Sequence, residues 1–329
     1  GSASCVPCNE PICSQTKHLC MESITVEQVC SAAETLLNRR EPEAPPAQGL
    51  PEDSEAFTSK PEYRSQLADA GINSIDTVFR FSSGNNLAKE NLSRYRTRIR
   101  FESGSPPVTM FLKRYQQPPV KVQIKNWISA GKRLSCAQTE LEPVLDLQRL
   151  GINTPRPTAW GWEWRHLFEK RSFLITEKIP NADSLEQRLP EFICNNNESS
   201  LKQKREFIRN AALFIRKFHH TGFRHRDLYL SHIFYDCSRK EFYLIDLARA
   251  FRPRIRKERF RIKDIAQLYY SSPLSSFTRT DRLRFYKTYA KISCIRTSEK
   301  RFIARVISKA RRIARHDQKH GRAVPFSDQ

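Results

Sequence analysis

The stretch "FRHRDLYLSHIFYD", Phe223 to Asp236, sets a His, an Arg and an Asp in a row, with a second His five residues after the Asp. Two readings compete for it: a catalytic loop, or a charged turn between a helix and a strand. An aspartate works as a base only where the fold presents it to a substrate, so the flanking segments decide. Upstream, Leu201 to His219 carries an apolar stripe (Phe207, Ile208, Ala211, Phe214, Ile215, Phe218) that marks an amphipathic helix. Downstream, "FYLID", Phe242 to Asp246, reads as a strand that ends on a second aspartate, 19 residues after Asp227.

Further out, Thr77–Phe81, Tyr95–Phe101 and Val108–Tyr115 cluster or alternate β-branched, aromatic and apolar residues, the pattern of strands. Residues 132 to 150 have Leu134, Ala137, Leu141, Val144, Leu145 and Leu150 near helical spacing, and "GINTPRPTAWG" ends that helix with a glycine and two prolines. "RSFLITEKI", Arg171 to Ile179, is a buried strand broken at Pro180-Asn181, and after "FYLID" helices dominate. A strand-rich first half with one helix, then a hinge, then a helical second half, predicts an α+β, two-lobed arrangement with a cleft between the lobes. The boundaries read as an arm and linker over 1–60, a first lobe over 61–178 and a second over 179–329.

The chain has 329 residues and a formal charge of +22, which calls for a polyanionic partner: nucleic acid, an anionic membrane surface or a phosphorylated substrate. No apolar run of about 18 residues could span a bilayer, and the N-terminus lacks an apolar signal core, which points to the cytoplasm. Five of the nine cysteines (Cys5, Cys8, Cys13, Cys20, Cys30) fall in the first 30 residues. Without a second C-x2-C pair they read as reduced thiols on an arm rather than a zinc site. A short helix over 24 to 39 precedes "REPEAPPAQGLPEDSE", whose four prolines and five carboxylates make a linker.

Four charged residues recur on elements suited to phosphoryl transfer: Lys113 on a strand, Glu140 on the next helix, Asp227 in the quoted loop and Asp246 at a strand end. That chemistry needs a cation on the nucleotide phosphates, a carboxylate for a metal and a carboxylate for the attacking hydroxyl. Lys113 suits the first role, with Glu140 positioning it; Asp246 suits the second and Asp227, beside His225 and Arg226, the third. Singly each residue has a plainer reading, a solvated lysine or a surface glutamate; the ordered set argues for an active site.

The segments "FRHRDLYLSHIF", "FYLIDLARA", "KDIAQLYYSS" and "FTRTDRLRFYKTY", with "FLKRY", "ELEPVLDLQRLGINTPRPTAWG" and "SFLITEKIPNADSLEQRL" upstream, resemble the bacterial lipopolysaccharide core kinase family, the WaaP-like or Kdo/heptose kinases, over roughly residues 75 to 315. The resemblance implies a protein-kinase-like fold and transfer of the ATP γ-phosphate to an inner-core sugar hydroxyl, with Mg²⁺ or Mn²⁺. It implies Asp227 as catalytic base, Lys113 and Glu140 as the phosphate-binding pair, Asp246 as metal ligand and adenine near Glu177, Lys178 and Ile179. The sequence departs from protein kinases in three places. His232 replaces the metal-binding Asn, so it is either a metal ligand, a phosphate contact or a loop support, since imidazole suits Mg²⁺ poorly. "IDL" replaces Asp-Phe-Gly, and the phosphate loop has only Gly84. Asp264 is expected to anchor the catalytic loop's backbone.

Eight Lys/Arg against one Glu run from Arg249 to Lys263, where a kinase binds its acceptor; Arg249, Arg252, Arg254 and Arg256 are candidate contacts to the carboxylates and phosphates of a lipopolysaccharide core. A basic C-terminal helix (Phe302, Val306, Ile307, Ala310 and Ile313 on one side) is expected to pack on the second lobe and face an anionic inner-membrane surface. The rivals are a kinase of the same fold acting on a protein or small molecule, a pseudokinase scaffold, and a nucleic-acid-binding protein. The last leaves Asp227 and Asp246 unexplained, so no nucleic acid is expected as a partner; the sequence names no protein partner.

Overall fold

The computed structural model describes residues 57–87, 95–192 and 198–325. The cysteine-rich arm, the helix read over 24 to 39 and most of the linker lie outside the described residues. The first lobe is built on an antiparallel six-stranded sheet in the order β1-β5-β6-β4-β3-β2. Its strands are β1 (Thr58–Ser59), β2 (Asn85–Asn86), β3 (Arg96–Ser103), β4 (Val108–Gln116), β5 (Pro157–Arg165) and β6 (Phe168–Glu177). β1 pairs Thr58 with Trp160, so the sheet begins inside the segment read from sequence as linker.

The stretch Thr77–Phe81, read as a strand, is the end of a helix. After α1 (Arg64–Asp69), α2 covers Ile75–Arg80. Ser74 caps it: the Ser74 hydroxyl accepts from the Thr77 amide at 3.2 Å, and the Thr77 hydroxyl accepts from the Ser74 amide at 3.0 Å. That reciprocal capping box satisfies two N-terminal donors and outweighs the β-branched bias of Thr77 and Val78. Two further helices were also unevenly read. α3 (Val120–Ala130) was not foreseen, and α4 begins at Gln138 rather than 132, running to Arg149, where Ser135 and Gln138 bond each other's backbone amides. The Pro- and Gly-bearing stretch that ends the helix by sequence also contains β5; Pro157 is its first residue, the position where a strand tolerates proline.

One apolar core lies against this sheet, with Leu67, Ile72, Val78, Leu112, Phe173 and Ile175 among its buried members. A larger core fills the second lobe, built from α5 (Glu198–His220), the three-stranded sheet of β7 (Ala182–Ser184), β8 (Ile233–Asp236) and β9 (Glu241–Leu244), then α6 (Lys257–Ser271), α7 (Arg279–Ala290) and α8 (Thr297–Lys319). Val144, Leu147 and Ile152 from α4 and its exit join that second core, so α4 ties the lobes together. Among the described residues no helix is long and apolar enough to cross a membrane.

Gly84 precedes β2 with φ +109, and a Cβ there would lie 2.5 Å from the Arg100 carbonyl oxygen and 3.1 Å from the Phe101 Cβ. Only glycine lets the edge strand approach β3 this closely. Gly84→Ala is therefore expected to cost about 1–3 kcal/mol of stability, seen as a lower urea midpoint with an unchanged m-value.

Candidate active site

The charged set converges where the lobes meet. β4 is central in the first sheet, flanked by β3 and β6, so Lys113 is carried on a fixed backbone and is only 7% exposed. Glu140, in the first turn of α4, is 5% exposed. The Lys113 Nζ lies 2.5 Å from Glu140 Oε1 and 3.5 Å from Asp246 Oδ1, so one ammonium bridges carboxylates from both lobes. Glu140 Oε2 is buried with no hydrogen-bond partner.

Asp246 follows β9 in the left-handed conformation, φ 56 and ψ 58, a strained backbone for a residue with a side chain. Burial alone would raise its pKa; the charges of Lys113, then of His232 and Arg96, outweigh burial and lower it to about 2. Its carboxylate is therefore ionised at neutral pH. Arg96, whose Nη2 is 4.0 Å from Asp246 Oδ1, was missed by sequence reasoning. Its place depends on the β3–β4 register, in which it faces Tyr115, and no local pattern announces that.

The quoted segment is a loop stretched along α6. Asp264 on α6 is fully buried and accepts hydrogen bonds from the backbone amides of His225 and Arg226, both at 2.8 Å. The Gln267 Oε1 accepts from the Leu228 amide at 3.2 Å, and the Ser271 hydroxyl accepts from the Leu230 amide at 3.0 Å. Positions 264, 267 and 271 follow one face of the helix, so successive loop amides meet successive polar side chains. The signal was present in "KDIAQLYYS" as polar residues at helical spacing in an otherwise apolar, buried helix. Arg226 is held left-handed, φ 70, within this grip.

Behind Asp264, His219 donates from Nε2 to Asp264 Oδ2 at 3.2 Å and accepts at Nδ1 from the Tyr289 hydroxyl at 2.7 Å. Burial lowers the His219 pKa against the pull of Asp264, while the Asp264 pKa falls because His219 and the loop amides outweigh burial. A neutral imidazole beside an ionised carboxylate fits both hydrogen bonds. His225 is also buried with a lowered pKa; its Nε2–H donates to the Ile245 carbonyl at 3.0 Å and so braces the residue before Asp246.

Asp227 projects from this braced loop. Arg249 Nη1 donates to its Oδ2 at 2.8 Å and its Oδ1 at 3.0 Å, and Gln267 Nε2 lies 3.4 Å from Oδ1. His232 donates from Nδ1 to the Asp227 carbonyl at 2.7 Å. A carbonyl only accepts, so Nδ1 carries a proton toward it, while Nε2 lies 3.9 Å from Asp246 Oδ2. His232 thus supports the loop and faces the Asp246 carboxylate.

The remaining predicted residues are less concentrated. At the hinge the Glu177 amide bonds the Arg156 carbonyl and the Lys178 amide bonds the Thr109 carbonyl, both at 2.9 Å, while the Glu177 carboxylate accepts from the Tyr63 hydroxyl at 2.7 Å. Among the described residues the Ile179 amide has no such partner. Arg252 lies 3.7 Å from Asp146 and covers the Phe223 ring; Arg254 and Arg256 are exposed.

Comparison with known proteins gives this geometry its relatives. The lipopolysaccharide kinase (Kdo/WaaP) family model matches residues 112–289. A lipopolysaccharide core heptose(I) kinase WaaP of Escherichia coli is 31% identical over 227 residues, 66% of this chain and 84% of the relative. The protein of the same description from Pseudomonas aeruginosa is 28% identical over 205 residues, 60% of this chain and 76% of the relative. A solved structure, WaaP in complex with acyl carrier protein, superposes with a TM-score of 0.58 at 22% identity, covering 78% of this chain and 99% of that one; with the family match, the fold is protein-kinase-like. With its lobes joined through Lys113, Glu140 and Asp246 and the family match running from β4 to α7, the chain belongs to the lipopolysaccharide kinase (Kdo/WaaP) family and is a phosphotransferase.

Proposed function

We propose that the enzyme transfers the γ-phosphoryl group of ATP to a hydroxyl of a heptose in the lipopolysaccharide inner core. The observation that carries this reading is the bridge from Glu140 through Lys113 to the ionised Asp246, set near a braced loop that presents Asp227. Heptose rather than Kdo is preferred because the curated relatives are heptose(I) kinases.

In this reading Lys113, held straight by Glu140, carries the nucleotide phosphates, and the free Ile179 amide serves the adenine. Among the described residues no three His, Cys, Asp or Glu side chains converge on a ready-made metal cluster. A single ionised carboxylate still fits Mg²⁺ or Mn²⁺, which in kinases takes one or two protein carboxylates and completes its shell with phosphate oxygens and water. Asp246 would hold that cation, with His232 Nε2 on the same side; the cation supplies neutralisation of phosphate charge. Asp227 accepts the proton of the acceptor hydroxyl as its oxygen takes the phosphoryl group and ADP leaves. Arg249, now paired to Asp227, orients that carboxylate and meets the acceptor, with Arg254 and Arg256 exposed for its anionic groups.

The reading also places the enzyme on the cytoplasmic face of the inner membrane. The apolar side of α8 is taken up by the core through Phe302, Val306, Ala310 and Ala314, so this helix offers the bilayer charge alone. Apolar contact falls instead to α3, where Val120, Ile124 and Ile128 are 46%, 42% and 78% exposed and lysines 121 and 125 flank them. Ile124→Asp with Ile128→Asp is expected to weaken binding to anionic phospholipid vesicles by about tenfold or more without changing the urea midpoint. The solved WaaP neighbour, in complex with acyl carrier protein, adds a protein partner to the proposal, and the +22 charge of this chain suits an acidic one.

The acceptor assignment is tested by offering two lipopolysaccharide cores with labelled ATP, one ending at Kdo and one carrying unphosphorylated heptose. Label on the heptose-bearing core alone supports the reading; label on the Kdo-only core rejects heptose as the acceptor.

A further inference from the structure

A cleft of about 570 Å³ opens between α6 and α8, beside the catalytic loop and apart from the Lys113–Asp246 bridge. Arg226, Arg259, Lys263, Arg305, Lys309 and Arg312 line it, and no carboxylate does. Arg259 and Lys263 are one helical turn apart on α6; Arg305, Lys309 and Arg312 follow i, i+4, i+7 on α8. Two cationic helix faces are therefore turned toward one another across the cleft.

Among the described residues Glu258 matches Arg305, but no carboxylate lies within ion-pair distance of Arg259, Lys309 or Arg312. Arg226 adds a guanidinium whose Nε is buried without a hydrogen-bond partner. Burial, then the neighbouring Arg312 and Arg259, lowers the pKa of Lys309. Burial lowers that of Lys263 too, with Arg249 and Arg226 acting against the pull of Asp227. Like charges gathered at this density repel, and the arrangement is relieved by a bound anion. Arginine forks converging with ammonium groups match the oxygens of a phosphate ester.

The cleft is coupled to the chemistry by one short link. Lys263 Nζ donates to the Arg226 carbonyl at 2.5 Å, so the wall of the cleft and the backbone that presents Asp227 are the same loop. We propose that this cleft is a second anion site that holds a phosphate ester group of the acceptor glycolipid while its hydroxyl is presented to Asp227. The acceptor part rests on the kinase reading above; the anion site itself does not. The site differs from the arginines at 249 to 256 in lying between α6 and α8, where Arg305, Lys309 and Arg312 of α8 face Arg259 and Lys263 of α6.

The test uses the full chain and the variant Arg259→Gln/Lys309→Gln/Arg312→Gln. The probe is inorganic phosphate, compared with chloride at equal ionic strength, and read as a thermal shift. The wild type should be stabilised saturably by phosphate and the variant not, while the variant without phosphate is at least as stable because repulsion is gone. Equal protection of both proteins by phosphate would overturn the site. In the transfer assay the variant should show KM for the core acceptor raised about tenfold, with KM for ATP within about twofold. An unchanged acceptor KM together with lost binding to phosphatidic acid vesicles would overturn the acceptor assignment in favour of a lipid headgroup. Phosphate protection lost in the variant, with no transfer by either protein, would sink the kinase reading and keep the anion site.

Discussion

Asp227→Asn is expected to lower kcat by about 10²–10⁴-fold, the range that follows removal of a positioned general base. The substitution is isosteric, and the loop amides are held by Asp264, Gln267 and Ser271 rather than by Asp227 itself. The fold and the urea midpoint should therefore stay near wild type. ATP is bound, in the proposed roles, by Lys113 and the hinge, so its KM should change by no more than about twofold. What is lost is the anionic oxygen that takes the hydroxyl proton, and with it the ion pair to Arg249. Steady-state kinetics on both proteins check this, and a variant that keeps wild-type kcat would remove Asp227 from the chemistry.

Asp264→Ala is the change expected to damage both stability and turnover. It strands the backbone amides of His225 and Arg226 and the Nε2–H of His219, two of them in a buried site and that of Arg226 half-buried. At about 1–3 kcal/mol for each buried polar group left unpaired, the loss should reach about 3–5 kcal/mol. Arg226 would also lose the amide bond that helps hold its left-handed conformation, leaving the Lys263 contact to its carbonyl, and Asp227 would be less firmly placed. A wild-type urea midpoint in this variant would contradict the account.

The same network sets an acid limit. His219 and His225 stay neutral in the fold because burial lowers their pKa below the ordinary 6.5. As pH falls below that value the unfolded chain takes up protons that the folded chain refuses, so stability declines, by up to about 1.4 kcal/mol per pH unit for each histidine. Asp264, with its folded pKa below 3.8, adds stability above its unfolded value that is lost only as pH falls further, through the folded one. Urea midpoints should be level between about pH 7 and 8 and fall steadily by pH 5.5; a level profile across that whole range would contradict the buried neutral histidines.

The residues that converge at the site were legible where each rides on an element with a strong pattern. Lys113 lies in a clear strand, Glu140 in a clear helix, and Asp227 and Asp246 border segments of plain periodicity. Elements decided by side-chain caps were not. Thr77 and Val78 favour a strand by type, yet the capping box at Ser74 makes a helix, and the Pro157 and Gly161 of β5 resemble a turn until the sheet pairs them. Arg96 was illegible because its role is set by strand register, a contact between distant residues. The anion cleft needed the structure, since cations on α6 and α8 read separately as solvated faces until the helices are seen to share a cavity.

Transfer of label from γ-labelled ATP, with Mg²⁺ or Mn²⁺, by the wild-type chain to dephosphorylated lipopolysaccharide core decides whether this enzyme is a core kinase. Label should be recovered on the core as a phosphate monoester and be absent when the cation is chelated. ATP bound or hydrolysed with none of the label on core would contradict the core-kinase reading, and would leave a kinase-fold enzyme with a different acceptor.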